Sequence, residues 1–201
     1  MDIGINFRAT AGYVTDGANQ TYCLMTDFYP VTRGGATFGW EAGGGEVDAR
    51  DRNSGNDPRL AGQNHSLSTT APDFRLDVTA GDRLVHAAFG DAGFAHPVGW
   101  DVKDGTTTFF TNSGSTSAGQ RFDDATGVEL TETTWLTNEA SVARTFASTI
   151  LRITPTSAAA AQAIAHVRVN DPPPPQGALG GSFPIKQKAY RPRAFAPGIA
   201  R

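Results

Sequence analysis

The feature that most constrains this chain is a series of short stretches in which apolar and polar residues alternate. A period of two is typical of β-strands that bury one face. The candidate strands are Ile3–Ala9, Phe74–Val78, Arg83–Phe89, Val98–Val102, Thr106–Thr111, Val142–Ala147, Thr149–Ile153 and Ile164–Val169. A helix is favoured over Ser157–Ala163, a segment too short for more than a turn or two. The alternation therefore predicts an all-β fold.

Turn-forming residues separate these stretches, and the chain has 23 Gly and 12 Pro. The segment Thr79–Asp82 predicts a hairpin between Phe74–Val78 and Arg83–Phe89, and Lys103–Gly105 predicts a second tight turn. Many short strands with such turns indicate an antiparallel β-sandwich or jelly roll. The predicted core residues are Phe7, Trp40, Leu76, Val78, Leu84, Val85, Leu151, Ile153 and Val167.

The composition changes after Asp171, where Pro172–Pro175 form a stiff extended spacer without N–H donors. The segment beyond it has apolar anchors and cations: Phe183, Ile185, Lys186, Lys188, Tyr190, Arg191, Arg193, Phe195 and Ile199. We predict a sandwich domain at residues 1–171 and an extended, partner-binding basic arm at 172–201. A terminus without fixed structure is the alternative.

Charge is unevenly distributed between these two parts. The arm has five basic residues and no acidic one. Residues 1–171 therefore contain the other 12 of the 17 Lys and Arg residues and all 20 acidic residues, which gives them a formal charge of −8. This acidic body disfavours nucleic-acid binding. No stretch reaches the roughly 18 apolar residues of a membrane span, and the N-terminus lacks the pattern of a signal peptide.

The usual patterns of catalytic and metal chemistry are missing from the sequence. The one cysteine, Cys23, can form neither an internal disulfide nor a cysteine zinc site and is predicted to be buried. There is no Gly-x-Ser-x-Gly motif, and the histidines are scattered, with His86 and His166 predicted to be packed or at a strand edge. We expect no enzyme activity and no cofactor, with a structural calcium ion left open.

Between Phe38 and Asp91 the sequence resembles the malectin-like, galactose-binding-like β-sandwich modules found beside bacterial secreted enzymes. The resemblance rests on the order of six motifs: Phe38-Gly39-Trp40, Asp48–Asn53, Asn56–Leu60, His65, Phe74–Val78 and Phe89-Gly90-Asp91. The sequence departs from the family pattern at Leu60–Gly62. The resemblance implies a galactose-binding-like fold and a glycan ligand.

Five residues are candidates for glycan contact, each with a structural alternative: Trp40, Arg50, Arg52, His96 and Trp100. Indole rings stack on sugars, but large aromatic residues also fill cores. In a strand, Arg50 and Arg52 share one face and can clamp a carboxylate. That carboxylate belongs either to a ligand or to Asp48, Asp57 or Asp91 in an internal network.

Two functions fit these observations. The first is a structural virion protein of a bacteriophage-like particle, such as a head decoration, fibre-base or tail-accessory subunit. It would dock on other virion proteins through the arm in a multi-copy assembly, without nucleic acid or membrane. The alternative is a stand-alone, extracellular carbohydrate-binding module that recognises a cell-surface or secreted glycan.

Overall fold

A computed structural model of the chain describes residues 2–11, 20–41, 47–51, 62–66, 72–90, 96–116, 120–123, 129–131, 142–156 and 163–172. Within these ranges every helix or strand is a β-strand, as the alternation predicts. The strands are β1 Asp2–Arg8, β2 Gln20–Leu24, β3 Val31–Arg33, β4 Ala36–Trp40, β5 Val47–Asp51, β6 Gly62–Ser66, β7 Phe74–Asp77, β8 Gly81–Phe89, β9 His96–Asp104, β10 Thr107–Thr116, β11 Gln120–Asp123, β12 Glu129–Thr131, β13 Val142–Phe146, β14 Ile150–Pro155 and β15 Ala163–Asn170.

These strands form two sheets. Sheet A has the order β12-β11-β8-β15-β1-β2, with β13 paired to β8, β6 to β15 and β5 to β6. Sheet B has the order β10-β9-β14-β7-β4-β3. The described strand pairs are antiparallel except β1 with β2, which is parallel. The predicted antiparallel sandwich is therefore confirmed.

The core lies between the sheets and is rich in aromatic rings. Phe7 of sheet A meets Phe74 of sheet B edge-on, with ring centroids 4.9 Å apart, and Phe89 stacks on Trp100 at 5.7 Å. Of the nine predicted core residues, the structure buries eight: Phe7, Trp40, Leu76, Val78, Val85, Leu151, Ile153 and Val167. Leu84 is half-buried because its neighbour Val85 takes the inward position.

The two predicted hairpins have different outcomes. Asp104 pairs with Thr107 across a turn in which Gly105 has φ 57°, so the β9–β10 hairpin is confirmed. The prediction of a hairpin between β7 and β8 is wrong. Strand β7 lies between β4 and β14 in sheet B, whereas β8 pairs with β13 and β15 in sheet A. The residues between them carry the chain from sheet B to sheet A.

Several polar or reactive side chains are part of the packing, as predicted. His86 and His166 are buried, and Nδ1 of His166 lies 3.2 Å from the Oδ1 atom of Asn6. Cys23 is also buried, and burial raises the pKa of its thiol well above the ordinary value. A thiol in this environment stays protonated and behaves as a small apolar group. The part of the predicted helical segment before Ala163 lies outside the described residues.

Asp51, at the end of β5, ties this strand to the end of β1. Its carboxylate accepts a hydrogen bond from the Nε atom of Arg8 at 2.7 Å. The backbone N–H groups of Ala9 and Thr10 donate to the same carboxylate at 3.1 and 3.2 Å. Burial by itself would raise the pKa of Asp51, but these donors outweigh it and the pKa is lowered. This contact is not part of the predicted network, in which Arg50 and Arg52 bind the carboxylate of Asp48, Asp57 or Asp91.

Arg50 has a smaller structural role than Asp51. Its guanidinium lies 3.7 Å from the carboxylate of Asp48, and 47% of its side chain is exposed. Exposed ion pairs of this kind contribute little to stability. Arg52 and the carboxylates of Asp57 and Asp91 lie outside the described residues.

We expect Leu76→Ala to lower the free energy of unfolding by about 2–5 kcal/mol, because it leaves a cavity between the sheets. The matched control is Leu84→Ala, where the same atoms leave a half-buried site; a loss of less than about 1 kcal/mol is expected. Chemical denaturation measures both. Equal losses would show that the two faces of the sheets are assigned incorrectly.

We expect Asp51→Asn to lower the free energy of unfolding at neutral pH by about 1–3 kcal/mol, because a charged acceptor is lost. Since the folded-state pKa of Asp51 is below the ordinary 3.8, the stabilisation is complete above that pH and is lost as pH falls through the lowered value. Thermal melts should therefore separate wild type from variant at pH 7 and converge under strongly acidic conditions. Arg50→Ala is the control and should change stability by less than about 0.5 kcal/mol.

Candidate functional site

The outer face of sheet B collects charged side chains from neighbouring strands. In β7, Phe74 and Leu76 point into the core, so Arg75 points outward. The strand register places Arg75 opposite Arg152 of β14, and Arg152 opposite Lys103 of β9. These three residues form what we call the cationic row. Alternation within each strand sends them outward, and the register brings them into line.

Carboxylates lie between and beside the cations. Glu41 accepts two hydrogen bonds from Arg152, at 3.0 and 2.8 Å, and lies 3.9 Å from Arg75. Asp73 lies 3.2 Å from the Nε atom of Arg152. The Glu41 hydrogen bonds raise the pKa of Arg152, whereas burial raises the pKa of Asp73. The repulsion between the neighbouring guanidinium groups of Arg75 and Arg152 is offset because carboxylates lie against them.

The far end of the row is also paired. Lys103 lies 3.4 Å from the carboxylate of Asp101. The hydroxyl of Thr111 on β10 donates to the same carboxylate at 2.6 Å. Charge pairing therefore extends over three adjacent strands, β7, β14 and β9, and the Thr111 hydrogen bond continues the polar contacts to β10.

Tyr29 adds an aromatic ring to this face. The guanidinium carbon of Arg75 lies 4.0 Å from the Tyr29 ring centroid, and the phenol donates to Asp77 at 3.0 Å. Partial burial and the Asp77 carboxylate raise the pKa of the phenol, so it remains a hydrogen-bond donor at neutral pH.

Gly39 makes the position of Tyr29 possible. It is the register partner of Arg75 on β4, and a Cβ atom at this position would lie 2.6 Å from the backbone nitrogen of Tyr29. Its φ of 147° is also one that other residues rarely adopt. A glycine is therefore required where the backbone of residues 27–29 runs beside β4 and hydrogen-bonds to Trp40.

This arrangement is suited to recognition. It presents ionic donors and acceptors at fixed spacing on strands, together with a tyrosine. Its side chains are partly exposed, from 17% for Asp101 to 37% for Asp77. Because its carboxylates are paired with guanidinium or ammonium groups, the face is nearly balanced in charge. Such a surface can bind a polar, neutral ligand by exchanging hydrogen bonds with groups of both signs.

The structure does not bring the five predicted glycan-contact residues together. Trp40 and Trp100 are 1% and 0% exposed, which corrects the sugar-stacking alternative: both ring faces are covered, and both residues belong to the core. Arg50 is exposed on β5 of sheet A. His96 begins β9, but its side chain lies outside the described residues, as do Arg52 and the arm residues.

Sequence reasoning missed the residues of the sheet B face. Arg75 and Arg152 both lie at polar positions of predicted strands, which is the signal that could have found them. The register that places them side by side is not visible in the sequence. Tyr29 had no such signal, because its position depends on the pairing of residues 27–29 with the end of β4.

The described ranges show neither a metal centre nor a membrane-spanning helix. Among those residues, no group of three or more His, Cys, Asp or Glu side chains could hold a metal ion. The same residues contain no helix long and apolar enough to span a membrane. A structural calcium ion remains a prediction from the sequence.

No protein-family model matches the sequence, and no curated protein matches it. Solved structures do share its fold. The protein YXIM of Bacillus subtilis aligns with a TM-score of 0.51 and 12% identity, over 86% of this chain and 40% of that one. A calcium-binding mutant of Bacteroides uniformis beta-glucuronidase 2 aligns with a TM-score of 0.50 and 11% identity, over 86% and 18%.

This chain thus spans less than half the length of either protein. At such low identity the likeness concerns the fold alone. That fold agrees with the β-sandwich predicted from the sequence.

Proposed function

We propose that the chain is a non-catalytic recognition module that binds a carbohydrate across the outer face of sheet B. The observation that carries this proposal is the cationic row with its alternating carboxylates and Tyr29. The fold supports it, since the same sandwich occurs as a part of larger proteins, one of them a beta-glucuronidase. The family resemblance in the sequence points to the same ligand class.

The chemistry of the face favours a sugar over a simple anion. Each guanidinium of the row already has a carboxylate partner within 3.2 Å, so an incoming anion would have to displace one. Sugar hydroxyls both donate and accept, and adjacent hydroxyls can therefore bind a guanidinium and a carboxylate at once. The strands hold these groups before the ligand arrives, which reduces the entropy lost on binding.

The same pairing favours binding over hydrolysis. A glycosidase needs two carboxyl groups on opposite sides of the bond that is broken. Here Glu41 and Asp73 both approach the guanidinium of Arg152. The two carboxylates share one cation and hold the guanidinium of Arg152 in place, instead of lying on opposite sides of a bond to be broken.

A second function, a structural virion protein, is favoured by the composition of the arm. Five basic residues and no acidic one follow an acidic body. The last residue of the body, Asp171, lies 3.4 Å from Arg83 of β8. We propose that the arm docks on other virion proteins of a phage-like particle. Glycan binding and assembly would then use separate surfaces.

We expect Arg75→Gln to weaken carbohydrate binding about tenfold or more, since a charged hydrogen bond contributes about 1.5–3 kcal/mol. Affinity electrophoresis through a panel of neutral and uronate-containing polysaccharides measures the effect. Arg168→Gln is the matched control, because it makes the same change of charge on β15 of sheet A. Binding to no polysaccharide, or an equal loss in the control, would contradict the proposal.

Truncation of the chain after Asp171 should leave the sandwich folded but remove the protein from the particle. The anchors and cations that would contact neighbouring subunits are lost, whereas the core residues are all retained. The protein composition of purified particles and the circular dichroism of the truncated chain check the two parts. Normal incorporation of the truncated chain would rule out this role for the arm.

A further inference from the structure

The loop between β2 and β3 exposes two large apolar side chains. Met25 is 40% exposed and Phe28 is 57% exposed, and these are the exposed large hydrophobic residues of the part of the chain that the structure describes. A single exposed apolar residue is ordinary, but here two lie three positions apart in one loop. We call this pair the apolar tip. Because Phe28 directly precedes Tyr29, the apolar tip adjoins the charged face of sheet B.

Asp27 holds this loop in place from within. Its buried carboxylate accepts a hydrogen bond from the N–H of Leu24 at 2.8 Å and two from the guanidinium of Arg33, at 2.7 and 3.1 Å. The same guanidinium lies 4.1 Å from the ring centroid of Tyr22. The backbone of the apolar tip is therefore positioned before any ligand arrives, which reduces the entropy lost on binding.

The apolar tip lies at one end of a line that crosses sheet B. Phe28 forms a bridge with Trp40 of β4, but its ring is exposed at the edge of the sheet, whereas Trp40 is buried in the core. From this edge β4, β7, β14 and β9 follow in order, and β9 carries Lys103 at the far end of the cationic row. Four spacings of about 4.8 Å between neighbouring segments make this line about 19 Å long.

We propose that this line binds an extended stretch of a linear polysaccharide, with one sugar ring stacked on Phe28. A pyranose residue is about as long as one strand spacing, so the line accommodates about four residues. The cationic row and its carboxylates exchange hydrogen bonds with hydroxyls, whereas the C–H face of a pyranose packs on an aromatic ring. The inference rests on the proposed carbohydrate function and adds the class of ligand to it.

The size of the apolar tip favours a sugar over a protein partner. Specific protein interfaces bury about 800 Å² on each partner, far more than two side chains can offer. One aromatic face is instead matched in area by one pyranose ring. The surface that continues from the tip is ionic and paired, which suits the hydroxyls of the remaining sugar residues.

Oligosaccharide ladders test the length of the site. Titration calorimetry with cello-, xylo-, manno- and galacto-oligosaccharides of increasing length measures the dissociation constant. For the sugar that binds, we expect affinity to rise with each added residue and to level off at about four residues. Equal affinity for the monosaccharide and the longer chains overturns the inference, while leaving the carbohydrate function in place.

Substitution of Phe28 tests the stacking. Phe28→Ala should weaken binding of the longest oligosaccharide about five- to tenfold, and affinity should level off one residue earlier. Phe28→Tyr keeps the ring and should bind like wild type. Phe28→Leu keeps an apolar side chain without a ring and should resemble Phe28→Ala. Because Phe28 is exposed, thermal melts of these variants should match wild type.

The outcomes separate this inference from the function on which it rests. Unchanged affinity in Phe28→Ala, or full affinity in Phe28→Leu, overturns the inference and leaves the carbohydrate function standing. Equal binding by Arg75→Gln and its control Arg168→Gln contradicts carbohydrate binding at this face, and the inference with it. A chain that binds none of the ladders or polysaccharides overturns both.

Discussion

The contact between aromatic rings of the two sheets is the interaction on which the rest of this structure depends. Phe7 lies between Phe74, at 4.9 Å, and Trp40, at 5.8 Å, and these rings hold β1 against β7 and β4. Rings of this size bury large apolar areas and prefer edge-on geometry. Once they occupy the interior, the pleat of each strand decides which residues must face outward.

The outward face of sheet B therefore follows from the inward one. Burial of Phe74 and Leu76 exposes Arg75, just as burial of Leu151 and Ile153 exposes Arg152. Two guanidinium groups on adjacent strands would repel each other, and carboxylates placed between them turn that repulsion into a cohesive layer. A rigid, mixed-charge surface is thus a by-product of core packing that recognition can use.

The sequence by itself determined the local properties: strand positions, the burial of residues such as Leu76 and Val167, the turn at Gly105 and the charge contrast between body and arm. It could do so because alternation and turn chemistry act over a few residues. Only the tertiary structure decided that β7 and β8 enter different sheets, that Trp100 is a core residue, and that Asp51 meets Arg8. It also decided the alignment of Arg75 with Arg152. These outcomes depend on strand partners and register, which are fixed by packing between residues far apart in the chain.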